Sequence, residues 1–133
     1  MAQITVTKIL DGPRNAVFHV SLAGNGEGDI TDGVVIDPAT SFDPALPANP
    51  TLTIYRLWYD LTGFSARLEF DYLVSDTPAW AMSGDQGVCL DFTFFGGLKD
   101  RSGAMDGSGK LTVTTSGLSE GDFGTFVVHV HKD

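Results

Sequence analysis

Cysteine, positive charge and long apolar runs are all scarce in this sequence. Cys89 is the only cysteine, so no intrachain disulfide can form. Eight basic residues stand against 17 acidic ones, which gives a formal net charge of −9 without any basic cluster. Such a chain lacks the phosphate-neutralising patch of nucleic-acid-binding proteins. It also lacks the roughly 18 apolar residues of a membrane span, and its first ten residues show no signal-peptide pattern. We therefore expect no nucleic-acid or membrane partner.

Motifs that carry catalysis are missing too. The chain has no nucleophile elbow, no phosphate-binding loop and no zinc-type spacing of Cys and His. Two of the three carboxylates Glu69, Asp85 and Asp91 could act as an acid–base pair, but nothing in the sequence fixes their separation. Cys89 lies in an apolar run and is predicted to be a structural residue within a sheet. The sequence predicts a protein that is not an enzyme and that has no catalytic residue, cofactor or metal site.

Strand patterns fill most of the chain instead. From Phe64 to Tyr72, apolar and polar residues alternate without interruption, which is typical of a half-buried strand. A preceding apolar run around Ile54 to Tyr59 leads into Leu61-Thr62-Gly63, and we interpret the two runs as a β-hairpin joined by that turn. Segment 74–87 is predicted to be irregular, and the proline-rich segment 38–50 to be a loop.

The patterns predict one domain, residues 1–133, with an all-β fold and almost no helix. An antiparallel β-sandwich or a jelly-roll-like barrel of about eight strands fits the spacing of the turns. The expected strands are 3–9, 15–22, 31–37, 51–60, 64–72, 88–95, 111–115 and 125–131. The expected core is Phe18, Val20, Ile54, Leu68, Phe70, Leu90, Phe92, Phe126 and Val128, with Phe94 on the same side of its strand.

Three histidines are the residues with the best potential for metal binding. His129 and His131 are two positions apart on one strand and project from the same face, and His19 lies in the outward phase of its own strand. A metal-dependent, cupin-like enzyme would need all three to converge with a carboxylate inside a barrel. Their strand phases place them outside, so we expect no tight metal site.

Four segments carry a resemblance to a known group of proteins. They are ITVTKILDGPRNAVFHV (4–20), LWYDLTGFSARLEFDY (57–72), LDFTFFGGL (90–98) and GDFGTFVVHVHKD (121–133). Together they resemble the small all-β capsid decoration, or cement, proteins of tailed bacteriophages. The resemblance implies a structural protein of the virion, made in the host cytoplasm, that binds the major capsid protein on the outer capsid surface. It also implies a homotrimer or homodimer without cofactors.

The resemblance supplies no functional residue, so the capsid contacts must come from the chain itself. The N-terminal strand and the loop at 38–50 carry apolar side chains where they could reach a neighbour. The candidate contact residues are Ile4, Val6, Ile9, Phe42 and Leu46. Phe42 and Leu46 are also expected to pin the loop onto the body.

A carbohydrate-binding or receptor-binding β-sandwich is the alternative from another class. Trp80, Trp58 or Tyr59 would be the platform on which a sugar stacks. This function needs at least one tryptophan exposed in a groove, whereas burial of both would favour the structural role.

Overall fold

The computed structural model describes residues 3–38, 40–42, 52–72, 77–84, 86–99 and 107–132, and its strands form two antiparallel sheets. Sheet A contains β1 (Ile4–Asp11), β2 (Asn15–Ala23), β10 (Phe123–Lys132), β4 (Leu52–Thr62), β7 (Gln86–Asp91) and β8 (Leu98–Lys99). Sheet B contains β3 (Gly33–Ile36), β9 (Gly107–Ser116), β5 (Ser65–Tyr72) and β6 (Thr77–Met82). In the described ranges the helical structure consists of one 3-10 turn, Thr93–Phe95, and no helix is long and apolar enough to cross a membrane.

The strand order is that of a jelly roll. Sheet A runs β1-β2-β10-β4-β7, with β8 paired to the other end of β4, and sheet B runs β3-β9-β5-β6. The chain therefore changes sheet six times: between β2 and β3, β3 and β4, β4 and β5, β6 and β7, β8 and β9, and β9 and β10. In this architecture two four-stranded sheets are interleaved in this way; here sheet A has the additional strands β1 and β8. The predicted all-β sandwich is confirmed, and the described ranges contain ten strands where about eight were expected.

Alternating side chains supply a single apolar layer between the sheets. Along β2, every second residue from Ala16 to Leu22 is buried, and along β10 the same is true from Phe126 to Val130. Eight of the nine predicted core residues are buried. Leu90 is the exception: it is only partly buried because β7 is an edge strand.

The predicted β4–β5 hairpin is wrong. β4 pairs with β10, β7 and β8 in sheet A, whereas β5 pairs with β9 and β6 in sheet B. The turn at Gly63 carries the chain from one sheet to the other, so that both strands face the same core. Gly63 adopts a φ of 91°, and a Cβ at this position would lie 2.3 Å from a carboxylate oxygen of Asp122. Only glycine fits this corner without strain.

The region from 74 to 99 also differs from the prediction. The expected irregular segment contains β6, and the strand expected over 88–95 ends at Asp91. The Asp91 carboxylate accepts hydrogen bonds from the backbone N–H and the hydroxyl of Thr93, at 2.9 and 2.6 Å, and so starts the 3-10 turn. Phe94 is carried to the surface, where it is 85% exposed and not in the core.

Replacement of Phe70 by Ala should lower the free energy of unfolding by about 3–5 kcal/mol, because it removes a buried ring and leaves a cavity. Phe94→Ala is the matched control, since the same truncation at an exposed site should change stability by less than about 0.5 kcal/mol. Urea unfolding of both variants measures the difference. Equal losses at the two positions would contradict the assigned core.

Candidate interaction surface

The outer side of β1, β2 and β10 forms a surface that we call the acid-poor face. The strand register places its outward side chains in rows across the sheet. One row joins Thr7, His19 and Val127, and the row on one side of it joins Thr5, Ser21 and Thr125. The acid-poor face comprises Thr5, Thr7, Leu10, Val17, His19, Ser21, Thr125, Val127, His129 and His131.

The name of this face follows from its charge. β2 and β10 contain no acidic residue, and β1 contains Asp11 alone. Residues 4–23 and 123–132 together hold three basic residues and this one carboxylate, which leaves a formal charge of +2. The total formal charge is −9, so the remaining residues together carry −11. Two carboxylates border this face on the same sheet, because Asp60 lies opposite Thr125 and Asp91 lies opposite Arg56 on the outer side of β7.

The single carboxylate of these strands is neutralised where it lies. Asp11 forms ion pairs with Lys8 and with Lys132, whose side chain is 8% exposed. The Lys132 ammonium also donates to the Gly12 carbonyl at 2.8 Å and lies 4.4 Å from the centre of the Phe42 ring. These contacts tie the β1–β2 turn, the end of β10 and the start of the 38–50 loop together. Removing Asp11 would leave the buried Lys132 ammonium without its carboxylate partner.

Among the predicted contact residues, Val6 and Ile9 are exposed on β1, at 37% and 60%. Ile4 is partly buried and packs against the core. Phe42 is buried against Phe18, with the ring centres 5.8 Å apart, so it pins its loop as expected and is removed from the surface. Leu46 lies outside the described residues.

β1 is the outermost strand of sheet A and is held at both ends. At its start, the Gln3 side chain donates to the Gly28 carbonyl at 3.1 Å and accepts from the Asn25 amide at 3.3 Å. At its other end, the Lys8 ammonium donates to the Ser41 carbonyl at 3.0 Å. Its outer edge is therefore presented in a fixed conformation.

A hollow of about 440 Å³ opens between the edges of the two sheets, and we call it the edge hollow. Val6 on β1 and Val34 on β3 stand on its rim, both partly exposed. Lys8 closes one end by reaching Ser41. The lining residues are Val6, Lys8, Phe18, Val34, Val35, Asp37, Thr40 and Ser41.

The histidines lie on the outer side of sheet A, as their strand phases predict. His131 stacks on Tyr55 at 5.2 Å, and His129 meets the same ring edge-on at 6.1 Å. His19 lies one row away, opposite Val127. Within the part of the chain that the structure describes, no group of three or more His, Cys, Asp or Glu side chains is placed to hold a metal ion.

The environment of His129 changes its proton affinity. Partial burial, followed by the positive charges of Arg56 and His131, lowers the pKa of His129 below its usual value. Arg56 is directly opposite His129 on β4, and its guanidinium lies 3.6 Å from the Asp91 carboxylate. Asp91 is thus on the outer side of sheet A, whereas Glu69 lies on β5 in sheet B, so these two carboxylates do not form an acid–base pair. Asp85 lies outside the described residues.

The aromatic residues considered as sugar platforms differ in exposure. Tyr59 is buried and cannot stack on a ligand, and Trp80 is half-buried with its ring 5.1 Å from Phe92. Trp58 is 37% exposed on the outer side of β4, beside a shallow hollow of about 170 Å³. Cys89 is its neighbour on β7 and is exposed, so it is not a residue of the sheet interior.

The sequence patterns missed two features of this surface. The charge segregation appears only when β10 is placed next to β2, and these strands are far apart in the sequence. The exposed pair Phe94 and Phe95 was hidden by an apparently continuous strand pattern. The Asp-Phe-Thr order at 91–93, which allows the side-chain turn, was the available signal.

Comparison of the chain with known protein families, with curated proteins and with solved structures gives no match. The surface must therefore be interpreted from its own chemistry.

The lowered pKa of His129 predicts a loss of stability in mild acid. Well above pH about 6.5 His129 is neutral in both the folded and the unfolded chain, so its contribution to the free energy of unfolding is fully present. Below that pH the unfolded chain takes up the proton first, so the free energy of unfolding falls as pH is lowered toward the folded pKa. His129→Gln should flatten this dependence of the melting temperature. Arg56→Gln should reduce it, because the pKa of His129 then rises toward its usual value.

The measurement is a series of melting curves between about pH 5 and pH 8, the range in which histidine titrates. An acid limb of the same slope in the His129→Gln variant and the unsubstituted protein would rule out this assignment.

Proposed function

We propose that this protein is a non-enzymatic structural component of a phage virion that decorates and stabilises the outer surface of the capsid. The observation that carries the proposal is the acid-poor face on an otherwise strongly acidic jelly roll. The four segments that resemble capsid decoration proteins support it as well, since two of them, 4–20 and 121–133, include most of β1, β2 and β10, the strands of that face.

Charge supports an outward position and a single binding orientation. A chain with a formal charge of −9 is repelled by packaged DNA, while the acid-poor face, which carries no carboxylate, is the part that can approach another acidic protein surface without repulsion. The major capsid protein is the partner that this geometry suits. The acidic remainder would then point to solvent.

The shape of the face supports contact with an ordered lattice. Its rows of Thr, Val and His side chains lie on three paired strands, so little conformational freedom is lost on binding. Each contact is small, and binding becomes strong only where one molecule touches several capsid subunits at once. A decoration protein built in this way prefers the assembled shell to the free subunit.

The test uses expanded capsids assembled from the major capsid protein encoded nearest this gene. Binding should saturate at a fixed copy number and should raise the temperature at which the shell breaks. Thr7→Asp and Thr125→Asp place a carboxylate on the acid-poor face and should each weaken binding at least about tenfold. Ser116→Asp makes the same kind of change on sheet B and should leave binding as it is.

Equal binding to isolated capsid subunits and to whole capsids would count against the proposal. So would an equal loss of binding in the Ser116→Asp control.

A carbohydrate-binding module is the second candidate, and Trp58 is the observation that favours it. Its indole is partly exposed on a flat sheet, between Val127 and Cys89, with Asp60 lining the same shallow hollow. An aromatic ring beside a carboxylate is an arrangement that can stack on a sugar and accept its hydroxyl protons.

A glycan array decides this second candidate. Specific binding to one glycan that is lost in Trp58→Ala, and kept in Phe94→Ala as the exposed aromatic control, would support it. Binding that survives the Trp58→Ala change would exclude Trp58 as the platform.

A further inference from the structure

Four edges border the two sheets, and β1 is the one best suited to pair with another strand. β6 contains Pro78, which cannot donate a hydrogen bond, and β3 has four residues with a register shift. The edge formed by β7 and β8 is interrupted by the turn at Thr93–Phe95. β1 has eight residues and no proline.

The hydrogen-bonding groups of the β1 edge can be assigned from the register. The Ala23 amide donates to the Gln3 carbonyl at 2.9 Å, so Gln3 and Ala23 form a hydrogen-bonded pair. In an antiparallel ladder such pairs alternate, and Thr5 and Thr7 are therefore bonded to β2. The backbone N–H and C=O groups of Ile4, Val6 and Lys8 point away from the sheet.

Charge determines which partner can use this edge. Two copies of a −9 chain repel each other over most of their surfaces. The Ile4–Lys8 stretch carries no carboxylate, and the nearby Asp11 is already paired with Lys8 and Lys132. Exposed apolar side chains, Val6 and Ile9, lie on the same strand. Here two copies can approach without opposing carboxylates.

We propose that two copies of this chain form a dimer by antiparallel pairing of their β1 strands about a two-fold axis through Val6. Val6 pairs with Val6 of the second copy, and Ile4 pairs with Lys8 of the second copy, which gives about six backbone hydrogen bonds. The two Lys8 ammonium groups are then about four residues apart along the strand, roughly 14 Å. No like charges face each other directly.

The same geometry limits the pairing and its strength. A register shift between Lys8 and Leu10 marks a bulge that bends the strand beyond the paired stretch. Five residues from each copy bury an area at the low end for specific interfaces, so we expect dissociation at roughly micromolar concentrations. The two A sheets become one continuous sheet, and their acid-poor faces adjoin. The inference does not depend on the capsid proposal.

Sedimentation equilibrium of the purified full chain tests the dimer without any capsid. The unsubstituted protein should show a monomer–dimer equilibrium. Val6→Lys and Val6→Glu each place like charges opposite each other on the axis, and each should raise the dissociation constant at least about tenfold. An equimolar mixture of the two variants should form a dimer again, because the opposed charges are then complementary.

Phe94→Lys is the control at an exposed apolar site away from β1, beyond the end of β7, and should leave the dimer intact. Val6→Pro is a second disruptive variant that adds no charge, since the N–H it removes is the one that faces the free edge. Circular dichroism and the melting temperature show that each variant is folded. The proposal is overturned if the unsubstituted chain stays monomeric, if neither folded Val6→Lys nor Val6→Pro dissociates it, if the mixture stays monomeric, or if Phe94→Lys abolishes the dimer.

Discussion

The alternation of side chains along β2, β4 and β10 is the constraint on which the rest of the molecule depends. It lets two sheets share one apolar layer, because each strand gives every second side chain to the same interior. A slip of one residue in the pairing of β10 would turn Phe126 and Val128 outward and His129 inward. The register that closes the core therefore also fixes which side chains reach the surface.

The acid-poor face follows from this constraint together with the absence of carboxylates at the outward positions of β1, β2 and β10. The outward positions of its three strands carry Thr, Ser, Val and His, while the carboxylates lie elsewhere in the chain. Asp11 is the exception, and Lys132 and Lys8 neutralise it. Lys132 also reaches the Phe42 ring, so the contact that cancels this charge helps to hold β1 in place. Stability and surface chemistry here rest on the same few side chains.

The local sequence patterns predicted which side chains of a strand face the core. β2 and β10 were predicted with the correct inward residues because their alternation is unbroken, and Val6 and Ile9 were correctly placed on a first strand. The β4–β5 hairpin was wrong because adjacency in the chain does not distinguish a hairpin from a crossing between sheets, and both pass through a tight turn such as the one at Gly63. The charge asymmetry could not be predicted because it requires the neighbourhood of His19 and Val127, which only the tertiary fold creates.

The central position of β10 has a consequence for how the molecule is made. β10 is translated after every other described strand, yet it lies between β2 and β4 and pairs with both. Until it emerges from the ribosome, those two strands lack their shared neighbour and sheet A cannot close. Contacts between residues this distant in sequence form slowly, and uncovered strand edges favour pairing between chains. The negative charge of the rest of the chain would then reduce association between incomplete copies, because they repel each other until the last strand is inserted.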